Sequence, residues 1–132
     1  MATYYINADT GNDSTGDGSS GSPWLLLSKA HTEAASGDTI ICQDSTATYA
    51  FTNQIFTKDL TVEGEQVDAS GAVFDGNNAE VYWVHDSVDL ILSKLTFTNA
   101  NAADQSCLLG SNGATTGASL SISQCVFHNL VL

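Results

Sequence analysis

Five carboxylates, Glu63, Glu65, Asp75, Asp86 and Asp89, flank alternating apolar segments in the middle of the chain. Glycoside hydrolysis needs two carboxyl groups at a fixed separation, one to protonate the leaving oxygen and one to serve as base or nucleophile. Asp75, Asp86 and Asp89 are the candidates for that catalytic chemistry, against a competing reading as solvated turn and outer-face residues, which most surface carboxylates are. Asp9, Asp13 and Asp17 recur every fourth residue with Asn7 and Asn12 among them, a set of oxygens suited to a hard cation such as calcium. They lack EF-hand spacing and a bidentate Glu, and Asx turns in a Gly-rich loop account for the same residues. Tyr82, Trp83 and His85 lie close together, and Trp83 is the candidate platform for stacking on a sugar. Alternation puts Tyr82 with Val84 and Trp83 with His85, so one of these pairs belongs to the core. His31, His85 and His128 are far apart and form no zinc or nucleophile pattern, and His31 and His128 read as surface residues. Cys42, Cys107 and Cys125 have no CxxC spacing; Cys42 and Cys125 sit in apolar strand patterns and read as small buried hydrophobes of a protein made in a reducing compartment.

The charge balance removes whole classes of function. Among 132 residues, 3 Lys+Arg against 15 Asp+Glu give a net charge of −12. The cations are Lys29, Lys58 and Lys94, with no arginine. Three scattered lysines cannot neutralise a nucleic-acid backbone or hold an anionic membrane surface, so neither is an expected partner. A P-loop is absent, and any mechanism that needs arginine is excluded. The apolar fraction of 42% supports one domain with a real core. No apolar run is long enough to span a bilayer. The opening Met1-Ala2-Thr3-Tyr4-Tyr5 has neither a basic start nor an apolar stretch, so Sec export is not expected.

These residues are positioned by an alternation of short strands. Thr3–Asn7 reads as a strand, and a polar loop follows from Ala8 to Ser22, ending at Pro23. Trp24 to Ala35 changes to helical period, with Trp24, Leu27, Ala30 and Ala34 on one face and Gly37 placed to end it. Thr39–Cys42 and Tyr49–Phe51 return to strand character. From residue 58 onward an internal repeat appears. The pairs Leu60/Val62, Leu90/Leu92 and Leu120/Ile122 recur at steps of 30, and Leu95, Phe97 and Asn99 recur as Cys125, Phe127 and Asn129. A period of this size with short alternating strands marks a solenoid, because one turn cannot bury its own inward residues. Stacking at about 4.8 Å pairs successive turns in parallel and makes a continuous core. Leu90, Leu92, Leu95 and Phe97 point inward in this reading, and Asp89, Ser93, Lys94, Thr96 and Thr98 outward. Asn99 and Asn129 stack as a ladder of amides. A β-sandwich with coincidental spacing is the competing reading. The expected organisation is one structural domain, with residues 1–57 forming an N-terminal cap (strand, loop, helix, first coil) and residues 58–132 the coils.

The segments Tyr5-Ile6-Asn7, Gly11-Asn12-Asp13, Gly16, Pro23-Trp24, Leu27, Ala30, Ala34-Ala35, Gly37-Asp38-Thr39-Ile40 and Tyr49 resemble the entrance of right-handed parallel β-helix proteins of the pectate-lyase-like superfamily. The resemblance implies strand, polar loop, capping helix and a first coil that starts at the Gly-Asp-Thr step. With the repeat, it covers almost the whole chain. It implies an all-β, right-handed parallel β-helix of about three coils with an N-terminal capping α-helix. Two positions depart from the family pattern: Leu26 stands where Thr usually precedes the helix, so N-capping falls to another group, and Ala47 stands where Gly is common. The resemblance says little about chemistry, since the superfamily includes lyases, hydrolases, phage tailspikes, adhesins and inert modules. The arginine that family lyases often use as base is missing, and so are the Asn-Thr-Asp, Asp-Asp, Gly-His-Gly and Arg-Ile-Lys motifs of family polygalacturonases.

The last residues, Asn129-Leu130-Val131-Leu132, start another apolar strand with no second cap. Leu130, Val131 and Leu132 are therefore the expected assembly surface, in contact with further copies of the chain (a homo-oligomer, with a trimer expected) or with other virion proteins. The functional expectation is a non-enzymatic structural or adhesive module of a phage virion (tail fibre, tailspike or capsid decoration subunit), with polysaccharide as a further partner and no cofactor beyond the calcium candidate. The alternatives are a polysaccharide-active β-helix enzyme or a truncated piece of one, and an extracellular repeat protein.

Overall fold

The computed structural model describes residues 1–66, 69–101, 109–111 and 117–130. Its strands are β1 (Thr3–Ile6), β2 (Asp38–Cys42), β3 (Tyr49–Ala50), β4 (Gln54–Phe56), β5 (Leu60–Gly64), β6 (Val73–Glu80), β7 (Trp83–His85), β8 (Leu90–Ser93), β9 (Thr96–Asn101), β10 (Leu109–Ser111), β11 (Leu120–Ser123) and β12 (Val126–His128), with the short helix α1 (Leu27–Glu33) between β1 and β2. The protein is dominated by β structure in three sheets, ordered β1-β2-β5-β8-β11, β3-β6-β9-β12 and β4-β7-β10. Among the described residues every pairing between these strands is parallel. From β2 onward the chain thus visits the three sheets in rotation, and each pass lays its strands beside their counterparts in the pass before.

The repeat in the sequence is this register. Leu60, Leu90 and Leu120 are Cα partners, as are Val62, Leu92 and Ile122. Phe97 pairs with Phe127. Strand alternation turns these residues to the interior, where Leu60, Val62, Leu90, Leu92 and Phe97 are all buried. The third sheet (β4, β7, β10) is carried by three-residue strands that the sequence reading did not identify.

An aromatic column runs through the core. Tyr49 stacks on Phe74 at 5.0 Å, Phe74 on Phe97 at 5.8 Å, and Phe97 on Phe127 at 5.2 Å between ring centroids. Trp83 meets Phe51, Phe56, Phe74 and Phe97 edge-on, the favourable arrangement for ring quadrupoles. The bends after β8 and β11 put Lys94 and Gln124 in the left-handed region (φ 56° and 52°), and Asn99 and Asn129 adopt it at the next corner (φ 53° and 54°). Asn tolerates this conformation better than most residues. Gly64 is required by close approach, because a Cβ there would lie 2.1 Å from the Lys94 carbonyl oxygen.

Several expectations are corrected. The helix spans Leu27–Glu33 rather than residues 24–35, since Trp24 forms a parallel bridge to Ile6 and Ala34 is extended. Trp24, Leu27, Ala30 and Ala34 are nevertheless all buried. Ser93, Thr96 and Thr98, expected to face outward, are buried too. Neighbouring passes cover them: Thr98 Oγ1 lies 3.3 Å from His128 Nδ1, and Ser93 Oγ lies 3.4 Å from Glu63 Oε2.

In the last described pass the same positions are more open. Ile122, Val126 and Phe127 are 42%, 47% and 41% exposed, whereas Leu92 and Phe97 in the preceding pass are fully buried. Truncation should therefore read differently in two rungs of one column. Phe97→Ala is expected to cost about 3–5 kcal/mol in urea unfolding, and Phe127→Ala about 1 kcal/mol or less.

Candidate functional site

A concavity arises where two passes turn the same corner by different routes. The first pass joins β3 to β4 through Phe51, Thr52 and Asn53. The second carries β6 on past that corner: Asp75 pairs with Thr98 and Ala79 with Ala100, so Gly76, Asn77 and Asn78 bulge opposite Asn99. Asn77 and Asn78 both take positive φ (50° and 60°) to make the bulge. The short corner beneath the long one leaves a cavity of about 330 Å³ lined by Phe51, Asn53, Asp75, Asn77, Glu80 and Val81 among others. A smaller depression of about 110 Å³ shares Ala50 and Thr52 with it and extends to Leu26, Leu27 and Ser28.

The polar groups of this trough are held by the turns that build it. Asp75 Oδ1 accepts from the Asn77 backbone N–H at 2.8 Å and from Asn99 Nδ2 at 3.1 Å. Asn53 Oδ1 accepts from the Tyr82 N–H at 3.0 Å. Phe51 and Val81 are buried beneath. The lining contains two carboxylates, Asp75 and Glu80, and no cation. Chemically it offers acceptors to hydroxyl or amine donors over an apolar floor, and it repels anions.

The three catalytic candidates are not brought together. Asp75 lies on the trough, at the corner of the β3-β6-β9-β12 sheet. Asp86 follows β7 and is exposed, with its Oδ1 accepting from Ser87 Oγ at 3.4 Å. Asp89 precedes β8, and its Oδ1 accepts from both the backbone N–H and the hydroxyl of Ser119 at 2.8 Å. One pass earlier, Asp59 Oδ1 accepts from the Asp89 N–H at 2.8 Å, an identical reach across 30 residues. That bond, followed by one from Ser36, holds the Asp59 carboxyl below the usual carboxylate range. Asp59 was missed in the sequence, although its 30-residue relation to Asp89 and Ser119 was there to be read. Glu63 approaches Lys94 Nζ at 3.7 Å, and Glu65 accepts from the Asp44 N–H at 3.2 Å.

The three calcium candidates meet different parts of the backbone. Asp9 accepts from the N–H groups of Thr46 and Ala47, which lower its pKa. Asp13 Oδ1 accepts from Leu25 N and Leu26 N at 2.8 and 3.2 Å and so fixes the chain just before the helix, which has no side-chain N-cap bond of its own. Asp17 closes an Asx turn on the Ser19 N–H. Each carboxylate binds a different stretch of backbone, and no cluster of three metal-ligating side chains exists among the described residues.

Trp83, the candidate sugar platform, is 1% exposed and surrounded by Phe rings, with Nε1 donating to the Thr52 carbonyl at 2.9 Å. Its ring faces are unavailable to a ligand, and the partly exposed members of that segment are Tyr82 and Val84. His85 is buried with Nδ1 2.8 Å from the Val88 carbonyl, and His31 is half-buried instead of surface-facing. The Asn129 amide donates to Asn99 Oδ1, and the Asn99 amide in turn reaches Asp75. Cys42 and Cys125 are free thiols, and burial pushes the Cys42 thiol far above its ordinary range. Leu130 packs partly buried against the core, while Val131, Leu132 and Cys107 lie outside the described residues. No protein-family model matches the chain, and neither the curated proteins nor the solved structures contain a significant match.

Two consequences are measurable. Asp13→Ala should lower stability by about 1 kcal/mol in thermal or urea unfolding, through loss of the acceptor for the Leu25 and Leu26 N–H groups. Excess calcium chloride in place of EDTA should leave Tm within about 1 °C, because binding to the folded state alone would raise it.

Proposed function

We propose that this chain is a right-handed parallel β-helix of the pectate-lyase-like kind that serves as a non-enzymatic structural and adhesive module. We further propose that it is a virion component, joining copies of itself or other virion proteins through its C-terminal end. The observation that carries the reading is the uncovered last pass: Ile122, Val126 and Phe127 stand exposed at positions whose counterparts one pass earlier, Leu92, Thr96 and Phe97, are buried. Covering such a surface is favourable by about 25 cal/mol per Å² of apolar area. Asp44, Asp59, Glu65, Glu80, Asp86 and Asp89 are exposed along the passes, and like charges there discourage lateral association. The buried free thiol of Cys42 suits manufacture in a reducing compartment. Light scattering at micromolar concentration tests this reading. A stable oligomer, with a trimer expected, that Phe127→Asp converts to a smaller species supports it, and a monodisperse wild-type monomer refutes it.

A second reading is favoured by the trough alone: Asp75 and Glu80 line one cavity beside amide and hydroxyl groups, a composition suited to polysaccharide binding or hydrolysis. Release of reducing ends from neutral glycans, abolished by Asp75→Asn, would establish it and displace the non-enzymatic reading. The acidic lining predicts no turnover of uronate polymers.

A further inference from the structure

The cap helix is held to the first pass by three consecutive residues, all of which converge on His31. The Phe56 ring, fully buried, meets the imidazole edge-on at 5.7 Å between centroids. The Thr57 backbone N–H donates to His31 Nε2 at 3.3 Å. The Lys58 ammonium donates to the carbonyl oxygens of His31, Thr32 and Ala34 at 2.8, 3.0 and 2.6 Å, so a single cation closes the C-terminal end of α1. A ring nitrogen that accepts a hydrogen bond carries no proton, so the neutral ring holds its proton on Nδ1.

We infer that His31 is an acid-sensitive latch: the neutral ring locks α1 onto the first pass, and its protonation frees the helix from the end of the stack. An imidazolium cannot accept the Thr57 N–H, and it places a second positive charge beside the Lys58 ammonium. Both changes act on the same three-residue clasp. The other charged groups around it are already engaged. Glu33 is paired with Lys29 at 2.6 Å, the Asp38 carboxylate accepts from Ala2 N and Ala35 N, and Asp59 is bound to Ser36 and the Asp89 N–H. Burial, followed by the Lys58 charge, holds the His31 pKa below its ordinary 6.5. The sign follows from that direction. The unfolded state takes up the proton first, so the latch is fully effective above about pH 6.5 and weakens as pH falls toward the lowered folded value. Leu27, which α1 contributes to the core, also lines the smaller depression beside the trough. Release of the helix therefore opens that wall. This inference rests on the clasp alone and is independent of the proposed function.

Hydrogen exchange followed by mass spectrometry on the intact chain tests it. After correction for intrinsic rates, amides of residues 27–35 should exchange about fivefold faster or more at about pH 5 than at about pH 7.5, with β5 and β8 unchanged. His31→Gln retains an acceptor without titrating, and should show less than a twofold change over that range. Equal protection at both pH values in the wild type, or an undiminished change in His31→Gln, overturns the latch. Should that variant not fold, NMR of the wild type decides. A Thr57 amide shift that titrates at the same midpoint as the His31 ring supports the inference, and a Thr57 amide insensitive to that titration refutes it.

Discussion

Every part of this protein depends on equivalent residues meeting across successive passes. A strand of three to five residues has no stability by itself, and its inward side chains have nothing to pack on within a single pass. The parallel ladders supply the backbone partners, while Leu60-Leu90-Leu120 and the Tyr49-Phe74-Phe97-Phe127 column supply the apolar ones. The polar residues obey the same rule. The Asp59 carboxylate receives the Asp89 N–H, the Asp89 carboxylate receives Ser119, and the Asn99 amide oxygen receives Asn129. Carboxylates that resemble catalytic candidates in one dimension therefore act as braces between passes in three.

A structure stabilised by its neighbours has a problem at both ends. The N-terminal end meets it with many small devices. Trp24 sits against Tyr4 at 5.2 Å with its indole N–H on the Gly16 carbonyl, Asp13 accepts at the helix entrance, and Lys58 gathers three carbonyls at the exit. The helix has only seven residues, too few to be stable by propensity, so these tertiary contacts hold it in place. The last described pass has no such cover, and Phe127 ends the aromatic column with one face open.

The repeat was legible where the register coincides with sequence spacing, at β5-β8-β11 and at β9-β12. It was illegible at Phe74 and Phe97, which pair in space but are not one period apart, because the corners differ. β5 reaches β6 through the long segment 65–72, whereas β8 reaches β9 through Lys94 and Leu95 alone. The third sheet was hidden by brevity, since Gln54-Ile55-Phe56 and Trp83-Val84-His85 are too short to establish a period. Trp83 was ambiguous for the same reason: alternation showed that one pair was buried but gave no means of choosing which. The Asp9-Asp13-Asp17 spacing showed that carboxylates were present in the loop but not which backbone amides they would meet, because their partners at Thr46 and Leu25 are set by the tertiary path.

The departures from repetition are also where ligand chemistry becomes possible. In a strictly repeating stack each corner lies over the one below, and the outer wall is smooth. Here the first pass cuts its β3-to-β4 corner short at Phe51–Asn53, and the second overshoots it through the bulge at Gly76–Asn78, so a trough forms between them. The register mismatch places Asp75 where it braces Asn99 and lines a cavity at once. The regular strands fix the positions of the two corners, and the difference in corner length opens the trough. Concavity in this architecture therefore comes from unequal corners, which strand periodicity does not encode.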